Sequence, residues 1–447
     1  MIRPYLFLLL ITGIAHAQDD DPLSRRGLAV ERFVSTTTPA AIDAFIQEHL
    51  SESFGAGRDR GQVRSQLEEI RQRCRNAGGV MLEPHGDSGL RIVFEYPDRR
   101  QAVLIGLEPS APHRITSLEL KEAPEAESGP AVAPMSWSTL AQRLDQEEAS
   151  GFAGVVLAAK DGKIVHHEAY GLADQRRKIP NTTETIFAIG STPIDFTHGA
   201  ILKLAEEGKL ALQDPISKYL SGVPSDKQSI TIEHLRTSRS GFQNFPGIPG
   251  VDEDLDLSWI DREEFLSRMM KSELLFAPGQ GQAHSHAAWG ILTAIVEVVS
   301  GQSYEDYLQE TFFGPAGMTR TGSYSFTHQF DPAEVAVGYG SNRIRPTNSP
   351  VHWGRTSWLV KGSGGMVSTP MDLYRWNRFV RGGQVLSKES TKLYGSGGLA
   401  AGANDRGFLC LYNTDLETLV IVCSNVHEGP RDFAERVAEA AVRVAMR

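Results

Sequence analysis

The stretch Ile186-Phe187-Ala188-Ile189-Gly190-Ser191-Thr192-Pro193-Ile194-Asp195-Phe196-Thr197 decides how this chain is read. A serine follows a short apolar run and stands just ahead of a helix expected over 196–207, stopped by Gly208. A serine hydroxyl is a poor nucleophile at neutral pH unless a neighbour takes its proton. The third position after Ser191 is Ile194, which neither accepts nor shuttles a proton. The same residues also make a good helix start. Thr192 suits the N-cap, Pro193 the first helical position, and Asp195 the third, as in a capping box that complements the helix dipole. Ser191 is therefore either a nucleophile or the neighbour of a cap.

Outward from this stretch, the composition bounds the possibilities. The chain has 447 residues, 40% hydrophobic and 22% charged, which is the make-up of a soluble globular protein of two or three domains. Its formal charge of −10, with no basic run, argues against nucleic acid and anionic membrane surfaces as partners. At the start, Arg3, the apolar run Leu6 to Ile14 and Ala15-His16-Ala17 are expected to form a cleavable signal peptide over 1–17. The apolar run is too short to span a membrane, so the chain is expected to be exported, to a periplasm or outside the cell. Cys74, Cys410 and Cys423 form neither a disulfide framework nor a metal pattern. Cys410 and Cys423 fall on neighbouring expected strands, where pairing is possible and two buried free thiols are favoured.

Residues 38–54 and 61–78 have helical periodicity, and four strand-like runs follow near 79–84, 90–96, 101–108 and 114–121. This is expected to be a small α+β accessory domain over 18–121, similar to cystatin-like or nuclear-transport-factor-like units, with a Pro-, Ala- and Glu-rich linker over 122–135. Residues 136–447 read as one large domain. A helix over 139–149 precedes a hairpin, 154–160 and 163–170, turning at Asp161-Gly162. A mostly helical middle follows, then strands at 407–411 and 418–424 and a closing helix over 431–446. Strands from both ends with helices between imply one central antiparallel sheet flanked by helices.

Ordered landmarks carry a family likeness. They include Gly190-Ser191, Ala200 through Leu210, Asp214-Pro215, Ile230 through Leu235, Ser240-Gly241-Phe242, Phe276-Ala277-Pro278-Gly279, Gly314-Pro315-Ala316-Gly317-Met318 and Gly364 through Thr369. The chain thereby resembles the β-lactamase-related serine hydrolases: class C β-lactamases, D-alanyl-D-alanine carboxypeptidases and their esterase relatives. The resemblance implies a β-lactamase/transpeptidase-like α/β domain, no cofactor, and a ligand that is a small molecule, a peptide or a cell-wall fragment. It also implies four site elements, three of which are changed in this chain. Ser-x-x-Lys reads Ser191-Thr192-Pro193-Ile194; Tyr-x-Asn reads His284-Ser285-His286; the His- or Lys-x-Gly strand reads Ser396-Gly397.

Two functions follow from that pattern. In the first, the chain keeps the family's cleft but not its proton-transfer groups, and binds without turnover. In the second, Ser191 is the nucleophile and His284, at the tyrosine position, is its base, because imidazole is a natural proton acceptor for serine. His286, Ser396 and Gly397 would then contact the substrate, with His286 donating to a bound carbonyl. A metal at His284-x-His286 has no third ligand at recognisable spacing, although His198 could approach. His166-His167-Glu168 lacks the spacing of a zinc motif and reads as solvated edge. Lys361-Gly362-Ser363-Gly364-Gly365 lacks the context of a phosphate loop, and no Gly-x-Ser-x-Gly elbow occurs.

Overall fold

A computed structural model describes residues 40–122 and 151–426, together with Arg26, Ala29, Val30, Phe33 and Val34. Within those spans it omits 52, 55–58, 75–78, 86–88, 96–99, 109–112, 249–250, 253, 340–347, 396–398, 405–406 and 414–417. The expected signal peptide over 1–17, all but residue 122 of the linker over 122–135, the helices over 139–149 and 431–446, and Ser396 and Gly397 lie outside the described residues. The chain divides into two compact units, Met1–Pro134 and Met135–Arg447.

In the first unit, helices α1 (Ala40–His49) and α2 (Arg60–Cys74) precede strands β1 (Gly79–His85), β2 (Gly89–Glu95), β3 (Arg100–Leu107) and β4 (Ile115–Glu122). The four strands form an antiparallel meander in sequence order. Helix α2 buries Val63, Leu67, Ile70 and Cys74, a stripe at helical spacing. That stripe shares a core with Phe45, Ile92, Phe94, Val103, Ile105 and Leu118.

The second unit is built on a five-stranded antiparallel sheet. Its members are β5 (Gly154–Lys160), β6 (Lys163–Tyr170), β10 (Leu399–Asn404), β11 (Phe408–Asn413) and β12 (Thr418–Ser424), ordered β10-β11-β12-β5-β6. Strand β5 reads Gly-Val-Val-Leu-Ala-Ala-Lys and is buried at all but its last residue, as a strand covered on both faces must be. Its partner β12 aligns Thr418 with Lys160 through Ser424 with Gly154, which joins the two ends of the unit. Cys410 and Cys423 are direct cross-strand partners, both buried and free, with sulfurs 3.5 Å apart. On the edge strand β6, His166 is buried and hydrogen-bonded to the Tyr170 hydroxyl at 3.1 Å, so it is not the solvated edge its neighbours suggested.

A smaller sheet holds the serine loop. Strands β7 (Phe187–Ala188), β8 (Gly322–Ser323) and β9 (Met366–Ser368) pair in the order β8-β9-β7. The chain leaves β7 through Gly190, whose φ of 51° lies in the left-handed region that glycine enters without a Cβ penalty. Ser191 follows, then helix α3 (Pro193–Glu206). Helix α4 (Ile232–Arg236) and helix α5 (Arg262–Lys271) lead to α6 (His286–Ser300). Helix α6 is buried along its first eleven residues and packs against α3. Helices α7 (Pro370–Val380) and α8 (Lys388–Tyr394) complete the layer behind the serine. No helix among the described residues is long and apolar enough to cross a membrane.

Candidate active site

Three segments meet at Ser191. The first is the turn between β7 and α3, where the Ile189 carbonyl accepts from Thr192 N–H at 3.1 Å and the Ser191 carbonyl from Ile194 N–H at 3.1 Å. The second is the start of α6. Ser285 caps it: its hydroxyl accepts from Ala288 N–H at 3.0 Å and donates to the Gln243 carbonyl at 2.6 Å. That places His286 at the first helical position. The third is the loop after Ser240-Gly241-Phe242, where Gly241 lies so close to Phe276 that a Cβ there would stand 2.3 Å from the Phe276 carbonyl oxygen. The same loop carries Asn244 and Phe245, which lie against the α6 start: the Asn244 carbonyl accepts from Ala287 N–H at 2.8 Å.

The side chains form a hydrogen-bonded line. Ser191 Oγ lies 3.0 Å from His286 Nε2, and His286 Nδ1 lies 2.8 Å from Asn244 Oδ1. The protons can be assigned. His286 backbone N–H, which only donates, points at the same Asn244 oxygen at 3.2 Å. The atom there must be an acceptor, so Nδ1 carries the ring proton and Nε2 presents a lone pair to Ser191. His286 is 7% exposed, and its ring stacks on Phe245 with centroids 4.2 Å apart. The Ser191 N–H donates to no described residue, which leaves a backbone donor beside the hydroxyl.

The sequence pointed to His284 as the partner of Ser191; the hydrogen bond belongs to His286. The cause is the helix start: with Ser285 as cap, His286 is the first residue to turn inward on α6. His284 stands edge-on to His286, ring centroids 4.7 Å apart, with its Nε2 buried and unpartnered among the described residues. Burial lowers its pKa from the ordinary value, so it is neutral at pH 7. His286 is thus no free donor for a bound carbonyl, since both ring nitrogens are engaged. His198 packs between Trp289 and Tyr394, with its Nε2 near the Arg236 guanidinium. Among the described residues no cluster of three or more His, Cys, Asp or Glu could hold a metal ion.

The capping expectation is also corrected. Thr192 is the N-cap residue of α3, but with φ −54° and ψ −33° it is already helical, and its side chain makes no cap hydrogen bond. Its hydroxyl is buried without a partner among the described residues. Asp195 turns instead toward Arg381, 3.4 Å away. Ile194, in place of the expected lysine, packs partly buried against the apolar core. Asn244, Phe245 and Arg381 were missed in the sequence. For Asn244 the available signal was its place just beyond Ser240-Gly241-Phe242.

The family model described as Beta-lactamase matches residues 138–408 of this 447-residue chain. The chain belongs to the β-lactamase family. It is 28% identical over 310 residues to a putative penicillin-binding protein, PbpX, of Bacillus subtilis, covering 63% of this chain and 72% of that protein. It is 29% identical over 228 residues to the esterase EstB of Burkholderia gladioli, covering 47% of this chain. It spans 57% of that esterase's length, less than two thirds. Among solved structures, FmtA of Staphylococcus aureus matches with a TM-score of 0.57 at 20% identity, covering 69% of this chain and 89% of that one. At that identity the likeness is one of fold: the penicillin-binding, β-lactamase-like α/β architecture.

Proposed function

We propose that this member of the family hydrolyses an ester or amide by acyl transfer through Ser191, with His286 as general base and Asn244 orienting the imidazole. The observation that carries this reading is the line Ser191 Oγ–His286 Nε2–Asn244 Oδ1, at 3.0 and 2.8 Å. It supplies what Ile194 withholds, a proton acceptor in contact with the hydroxyl. In the first step Ser191 Oγ attacks the carbonyl carbon as its proton passes to His286 Nε2. The oxyanion is met by the Ser191 N–H. The imidazolium then protonates the departing alcohol or amine, and water, activated by the same ring, releases the acid. General-base help of this kind is worth roughly 10² to 10⁴ in rate. The substrate class is a small molecule, peptide or cell-wall fragment, in keeping with relatives named as a penicillin-binding protein and an esterase. Export is part of the same proposal and rests on residues 1–17.

A second reading, binding without turnover, is favoured by one observation: the apolar Ile194, partly buried against the core, at the place of the family's lysine. A serine-directed fluorophosphonate separates the two. Stoichiometric labelling that disappears in Ser191→Ala supports the hydrolase. An unlabelled wild-type protein that turns over no ester between about pH 6 and 9, across which an ordinary imidazole goes over to its proton-accepting form, leaves only the binding reading.

A further inference from the structure

Behind the serine turn lies a buried polar cluster that the acyl-transfer reading does not use. Arg381, at the end of α7, has a side chain only 6% exposed, and every nitrogen of its guanidinium is engaged. Nε donates to Asn377 Oδ1 at 3.0 Å, one terminal nitrogen donates to the Gly395 carbonyl, and the other lies 3.4 Å from Asp195 Oδ2. The guanidinium also sits over the Tyr394 ring, 4.5 Å from its centroid. The Tyr394 hydroxyl takes a hydrogen bond from Trp376 Nε1 at 3.0 Å and donates to the Asp195 carbonyl at 3.2 Å. Asp195 is therefore held at both its main chain and its side chain.

Asp195 belongs to the turn that carries the nucleophile. Its N–H donates to the Thr192 carbonyl at 2.9 Å, and Ile194 N–H donates to the Ser191 carbonyl. A helix start is ordinarily fixed by its N-cap side chain, and here Thr192 makes no such contact. The order of the serine turn must come from elsewhere. We infer that Arg381 is a positioning residue for Ser191: it clamps the first turn of α3, through Asp195, to the Gly395 carbonyl, four residues before the sheet-edge strand β10. The planar guanidinium suits this task because it meets three acceptors in one plane, which a lysine ammonium does not. The inference rests on Ser191 as the nucleophile.

The test compares wild type with Arg381→Met, Arg381→Lys, Asp195→Asn and the double variant Asp195→Asn/Arg381→Met. Each is followed by the rate of fluorophosphonate labelling, by kcat and KM on p-nitrophenyl acetate, and by thermal unfolding. A misplacement of the order of an ångström costs about 10²-fold, so Arg381→Met should slow labelling and lower kcat by roughly that factor. KM should change by less than about threefold, because the loss is in the reacting geometry and not in uniform binding. Arg381→Lys should recover part of the rate, and the double variant should be no slower than Arg381→Met alone. Labelling at the wild-type rate in a folded Arg381→Met or Asp195→Asn protein overturns the inference, as do fully additive losses in the double variant. If Arg381→Met does not fold, Asp195→Asn, which keeps the volume of the side chain, decides by the same labelling rate. An unlabelled wild type overturns the nucleophile reading itself, an outcome distinct from a labelled wild type with unaffected variants.

Discussion

Helix α6 begins on a side-chain cap, whereas helix α3, which faces it across the Ser191–His286 contact, begins without one. Ser285 caps α6 through Ala288 N–H, and Asn244 receives both the His286 main chain and the His286 ring. At α3, Thr192 caps nothing and its hydroxyl is buried unpartnered. The turn there is held from behind, by Arg381 and Tyr394 on Asp195. The difference separates two ways of placing a reacting group. The base is fixed at a capped helix start by hydrogen bonds that also set its tautomer, while the turn of the nucleophile is held by side chains packed behind it.

The largest expected effect breaks the contact between the two helices. His286→Ala should lower kcat/KM for an ester by about 10² to 10⁴, the ordinary worth of a general base. His284→Ala, two residues away, should cost less than about tenfold, since its ring touches His286 edge-on without a hydrogen bond to Ser191. Side-by-side ester kinetics check this, and a larger loss in His284→Ala than in His286→Ala would reverse the assignment of the base.

Much of the scaffold was legible in the sequence, because its signals are local. The hairpin of β5 and β6, the meander of β1 to β4 and the final pair of strands follow from runs of alternating or continuous apolar residues bounded by turns. The site was legible only in part. Ser191 stood out by its place before a helix, but the choice between His284 and His286 hangs on where α6 starts, and a one-residue change in a cap changes which ring faces inward. Asn244 and Asp195 find their partners 42 and 186 residues away, at His286 and Arg381, distances at which spacing carries no information. The capping-box pattern at Thr192-Pro193-Ile194-Asp195 misled for the same reason. A local rule was overridden by a buried cation supplied from α7.

A smaller effect probes how α3 is held. His198 lies one turn beyond Ile194, against Trp289 and Tyr394, with the Arg236 guanidinium 3.4 Å from its Nε2. Loss of water around the ring, then the charges of Arg236 and Arg381, push its pKa down to about 3 from an ordinary 6.5. The folded state therefore keeps His198 neutral, while the unfolded chain binds a proton below pH 6.5. Its contribution to stability is present in full above that value and is lost as pH falls toward about 3. The loss is about 2 kcal/mol between pH 7 and 5 by linkage. His198→Gln should flatten that part of the stability-against-pH curve in urea unfolding. An unchanged slope would mean that the ring is not held neutral.

The smallest effect sharpens the contrast most directly, because it asks the two helix starts the same question. Ser285→Ala removes a hydroxyl that accepts from Ala288 N–H and donates to Gln243, and should destabilise by about 0.5 to 2 kcal/mol. Thr192→Val removes a hydroxyl of nearly the same burial that bonds to nothing described, keeping the shape of the side chain. A buried hydroxyl without a partner carries a desolvation penalty of about 1 to 3 kcal/mol, so this change should be neutral or stabilising. Equilibrium unfolding of the two variants should move in opposite directions, or at least leave Thr192→Val unmoved. Equal destabilisation would show that Thr192 caps α3 after all, and the serine turn would then need no clamp from Arg381.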